Sequence, residues 1–75
     1  MSEYYFTARL DDKRTLVLAP LSDRRIEHSG QHLNDTSGYF LYEQHGNSDD
    51  AAIEILAQAV SEYAALRLRE MLRMS

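Results

Sequence analysis

Tyr4, Phe6, Ala8 and Leu10 alternate with Tyr5, Thr7 and Arg9. Period two in aromatic and β-branched residues predicts a strand over 4–10. After the polar break Asp11-Asp12-Lys13, the run RTLVLA predicts a second strand over 14–19, so the two form a hairpin. Pro20 brings no N–H to a ladder and ends that strand. GYFLYEQ predicts a third strand over 38–44, between the turn clusters Asn34–Gly38 and His45–Asp49. Apolar groups occupy both of its sides: Tyr39 and Leu41 on one, Phe40 and Tyr42 on the other.

Residues 21–35 carry fewer signals. Ser22 suits a helix cap, Asp23 its first turn, and Gly30 the position past its end. Leu21 and Ile26 then take the two positions of a hydrophobic staple. With Ile26 and Leu33 as the only later apolar anchors, irregular chain with one helical turn is expected.

The last third admits two readings. As one helix over 49–73 it has a cap at Ser48, acidic residues at its start and arginines at its end. Such a helix of about 25 residues is about 37 Å long. It would overhang a domain roughly 30 Å across. The preferred reading splits the segment. Ile53, Ile55, Ala57 and Ala59 alternate as a fourth strand over 52–59, Ser61 caps, and a helix fills 61–73. The expectation is a single α+β domain over 1–75: an antiparallel sheet of three or four strands with the C-terminal helix on one face. Three strands plus the long helix 49–73 is the alternative. The order GYFLYE, then IEILAQAVSEYAALRL, resembles small bacterial proteins of unknown function in which a Gly-aromatic strand precedes an Ile-rich strand and a short Ala-rich helix. That resemblance supports the fourth strand and carries no functional residue.

Size and charge then narrow the role. A domain of 75 residues buries only about 60% of its unfolded surface and needs reinforcement. With no Cys, disulfides and thiolate chemistry are excluded, leaving packing, a non-Cys metal or association. The N-terminus lacks the basic and apolar regions of a secretory signal, and no apolar run is long enough to span a bilayer, so a cytoplasmic protein without a membrane partner is expected. The net charge is −4, yet no Lys or Arg occurs between Ile26 and Leu66. The simplest reading folds the basic ends onto this acidic middle or leaves both as solvated faces. The sharper one makes Glu43, Asp49, Asp50 and Glu54 a surface for a basic partner.

Candidate chemistry is sparse. His28 and His32 have HxxxH spacing, with Glu27, Asp35 and His45 as further donors, but Ser29-Gly30 interrupts the helix that spacing needs. Solvated loop histidines explain them more simply. Asp11-Asp12 and Asp49-Asp50 fall at turns or element starts, where Asp bonds its own backbone. The serines sit beside turns and caps, none in a nucleophile elbow, and the three glycines form no phosphate loop. No catalysis and no cofactor are expected. Six sheet aromatics and an arginine patch of Arg24, Arg25, Arg67, Arg69 and Arg73 suggest nucleic-acid binding, against which the acidic balance argues.

The aromatics point elsewhere. One short helix covers one sheet face, so Tyr5, Thr7, Val17, Ala19 and Tyr42 are expected on a bare apolar face. A second copy packed about a two-fold axis is its simplest cover. The expected role is therefore a small non-enzymatic interaction or regulatory module acting as a homodimer.

Overall fold

The computed structural model describes residues 4–31, 33, 35–46 and 51–75. The first two strands, β1 (Phe6–Arg9) and β2 (Arg14–Ala19), pair antiparallel with Thr7 opposite Val17. Their turn is built on Asp11, whose Oδ1 accepts from the N–H groups of Lys13 at 2.9 Å and Arg14 at 2.8 Å. Helix α1 (Asp23–His28) follows. The Ser22 hydroxyl accepts from the Arg25 N–H, and Leu21 and Ile26 are both buried, as a capped and stapled turn requires. Strand β3 (Tyr39–His45) pairs with β2, and β4 (Ala52–Ala59) pairs with β3, giving one antiparallel sheet in the order β1-β2-β3-β4. Helix α2 (Glu62–Leu72) completes the chain, with the Ser61 hydroxyl accepting from the Ala64 N–H. The fold is α+β with four strands, and the single long helix is not needed.

The fourth strand differs from its expected alternation. Leu41 pairs with Ala57 but Tyr42 pairs with Ile55, so Leu56 is an extra residue in a β-bulge. The bulge shifts the parity of the strand. Ile53 and Ile55 face the side of Val17 and Tyr42, while Ala57 and Ala59 face the side of Leu41 and Tyr39. The two halves of β4 thereby turn to different layers, Ile53 and Ile55 buried on one and Ala59 on the other.

Both sheet faces have an internal cover, which corrects the expected bare face. Val17, Ala19, Phe40, Tyr42, Ile53 and Ile55 pack under Leu21, Ile26 and Leu33, and all six are buried. A six-residue helix suffices because Leu21 before α1 and Leu33 after it share the work with Ile26. Val17 at 1%, Ala19 at 2% and Tyr42 at 1% exposure are core residues of a single chain, not a free surface. Of the five, Tyr5 is exposed and Thr7 is half-buried.

The other face belongs to α2. This helix leaves the end of β4, and beyond its end Ser75 pairs with Thr7 on β1: Thr7 N–H to Ser75 O at 2.9 Å, Ser75 N–H to Thr7 O at 3.0 Å. It therefore crosses the sheet from one edge strand to the other. Eleven residues make about 16 Å of helix, enough for the roughly 14 Å between the outer strands. Arg73 takes the left-handed conformation and Met74 N–H bonds back to Arg69 O at 3.0 Å, which turns the chain down onto β1 and buries Met74.

Candidate interaction surface

A helix lying across strands covers their width but not their length. β3, at seven residues, is about 23 Å long, and a helix is only about 10 Å wide. Exposure follows this geometry on β2, β3 and β4. On β2 Leu18 is fully buried, but Leu16, two residues on, is half-buried. On β3 Tyr39 is buried and Leu41 half-buried; on β4 Ala59 is buried and Ala57 exposed. The α2 face is roofed at the Ala59–Tyr39–Leu18 end and open at the other.

The open half is apolar at its centre and charged at its rim. Ala8, Leu16, Leu41 and Ala57 form its floor, while Leu10 is 45% and Leu56 47% exposed. Leu56 faces this side because it stands two residues from Glu54, whose partner Glu43 shares a face with Leu16 and Leu41. Glu43 and Glu54 are directly opposed across β3 and β4, an unfavourable like-charge pair. Glu43 has partners of its own: the Arg14 guanidinium, Nη1 at 3.6 Å, and His45 Nε2 at 3.3 Å. Arg14 also holds Asp11 at 2.8 Å, an exposed pair that fixes the turn and adds little stability. Here one arginine of the basic first third does meet the acidic middle. Glu54 is exposed, and no ion pair to it occurs among the described residues.

The helix supplies a wall beside this floor. Arg69 sits over the Phe6 ring at 5.0 Å, on the roofed side. About half a turn round the helix from Arg69 lie Arg67 and Met71, on the side towards the open half. Tyr63, four residues before Arg67, continues that stripe on the outer surface at 73% exposure, and Met71 is 70% exposed. Arg67 reaches Glu70 only at 3.9 Å, with both side chains largely in solvent.

The remaining expected sites are not assembled. Arg24 and Arg25 belong to α1 and Arg67, Arg69 and Arg73 to α2 or its end, on opposite faces of the sheet, so the five do not form one patch. Arg25 instead lies over the Tyr42 ring at 5.8 Å. Phe40 and Tyr42 are enclosed on the α1 side and Tyr39 on the α2 side, which removes them as a stacking platform for bases. Among the described residues no three His, Asp or Glu side chains converge as a metal site would require. His28 ends α1, while His32, Asp49 and Asp50 lie outside the described residues. Asp35 accepts from the Ser37 N–H at 2.9 Å and the Ser37 hydroxyl at 2.7 Å, a turn arrangement that holds its carboxyl below the usual aspartate range. Among the described residues no helix is long and apolar enough to cross a membrane.

Sequence reasoning missed the open half-face because it assigned each face wholly to helix or solvent. The available signal was strand length: strands of six to eight residues are about twice as long as a crossing helix is wide. No protein-family model, curated protein or solved structure matches the chain.

Proposed function

We propose that the protein is a small non-enzymatic interaction module that acts as a homodimer, through the open half of the α2 face. The observation that carries this reading is the exposure gradient along β2, β3 and β4, from sealed core at Leu18, Tyr39 and Ala59 to open apolar floor at Leu16, Leu41 and Ala57. Apolar surface continuous with a core and ringed by charge is the anatomy of an association site. The same reading places the protein in the bacterial cytoplasm, where a domain without Cys draws its reinforcement from association.

Light scattering behind size exclusion tests it. A mass of twice 8.7 kDa at tens of micromolar is the expected result, and 8.7 kDa throughout is the result that contradicts it.

A further inference from the structure

We infer that the occupant of the open half-face is the outer stripe of α2 from a second copy, so that two α2 helices lie side by side between two sheets. This rests on the self-association proposed above and specifies its geometry. The chain displays two unexplained apolar surfaces. One is the sheet floor with Leu10 and Leu56, and the other is the α2 stripe of Tyr63 and Met71. A two-fold axis parallel to α2, running beside it, brings each stripe onto the other copy's floor. Both surfaces are then covered by one closed, self-complementary contact. The open floor is wide enough, since strands about 23 Å long leave room for two helices at the usual 8–10 Å axis separation.

Charge selects the same arrangement. The floor ends in the opposed carboxylates Glu43 and Glu54. The stripe carries one cation, Arg67, midway between Tyr63 and Met71, whose ion pair among the described residues is the loose contact with Glu70. α2 starts beside β4 and ends beside β1, so its residues map in order across the strands. In the two-fold arrangement the partner's Tyr63 lies over Leu56 on β4, the partner's Arg67 reaches Glu54 and Glu43, and the partner's Met71 lies over Leu16 and Leu10. The repulsion between the two glutamates, costly in the single chain, becomes the anchor for an intermolecular cation. A basic partner for the acidic middle of the sequence is thus found in its own C-terminal helix.

Charge reversal in the full chain, read by sedimentation velocity, tests the arrangement. Arg67→Glu places a third carboxylate against Glu43 and Glu54 and should weaken the dimer at least about tenfold. Glu54→Lys should weaken it less, because Glu43 remains. The double variant Glu54→Lys with Arg67→Glu restores the opposite-charge pair and should return the dimer to within about threefold of the original. Both positions are exposed, and Glu54→Lys removes a like-charge pair, so folding of the variants is expected and is checked by circular dichroism. A wild-type dimer unmoved by either single change, or weakened further by the double, overturns this geometry while leaving self-association in place. A wild-type monomer overturns both.

Discussion

The side-chain amide of Gln31 pairs with the backbone of Ile55 in both directions: Nε2 donates to Ile55 O at 3.0 Å, and the Ile55 N–H donates to Oε1 at 2.7 Å. Ile55 lies on the outer strand β4, so this amide closes the sheet edge much as a further strand would. The opposite edge is closed by the backbone pair between Thr7 and Ser75. Each sheet edge has one such two-way clamp, and both clamps are tied to covering layers, Gln31 to the segment after α1 and Ser75 to the segment after α2.

Gln31→Leu removes two hydrogen bonds and leaves the Ile55 groups unmatched. It should lower unfolding free energy by about 1–3 kcal/mol in urea titrations. It should also raise the rate of thioflavin-positive aggregation by opening the β4 edge. Unchanged stability and unchanged aggregation would remove the clamp from the account.

Gly38 has φ +82°, and a Cβ there would stand 2.9 Å from the carbonyl oxygen of Ala59. Gly30, at φ +76°, has open space around the same position. Gly38→Ala should therefore cost about 1–3 kcal/mol, and more than Gly30→Ala, which has only the conformational preference to overcome. Equal losses in thermal unfolding would mean that the approach of β4 to Gly38 does not matter.

Val17→Glu separates the present fold from the expected bare face. On an exposed face the charge would disrupt association and leave the chain folded. Val17 is instead sealed between Thr7 and Tyr42 and beneath α1, so a carboxylate there should cost about 4 kcal/mol or more. In so small a domain that predicts loss of the cooperative unfolding transition. A folded, merely monomeric Val17→Glu protein would restore the earlier expectation.

Much of the fold was legible because local and global signals agreed. The alternation at Tyr4–Leu10, Ser61 as a cap and the staple of Leu21 and Ile26 all mark elements that formed. What escaped was long-range. Leu33 looked too isolated to anchor a layer, yet it lies against the Val17 and Tyr42 core. Gln31 is an ordinary polar residue until Ile55 comes within reach. The bulge at Leu56 could not be inferred from a strand whose alternation ran unbroken in the sequence. Of the candidate site, Glu43 and Glu54 were identified, whereas Leu16, Leu41 and Leu56 were not, because their exposure depends on where along the strands α2 crosses.

Acid should weaken the fold in a defined direction. Asp11 is held below its ordinary value of 3.8, first by the Lys13 N–H and then by the Arg14 side chain, and Asp35 is lowered by Ser37. For a depressed carboxyl the unfolded chain takes up protons first. Its contribution is present above the ordinary value and disappears as pH falls through the folded value. Stability should decline as pH drops below about 4, and Asp11→Asn should flatten part of that decline. Acid titrations of the two proteins that superimpose would contradict the assignment to Asp11.

The concentration dependence of thermal unfolding tests the central claim, that the apolar half-face left by α2 is closed by a second copy. For a folded dimer that dissociates on unfolding, a hundredfold increase in protein should raise the midpoint by roughly 5–10 °C. Leu56→Asp, a charge placed on the open floor, should abolish that dependence while the protein still unfolds cooperatively. A wild-type midpoint that stays constant across the range would contradict the claim.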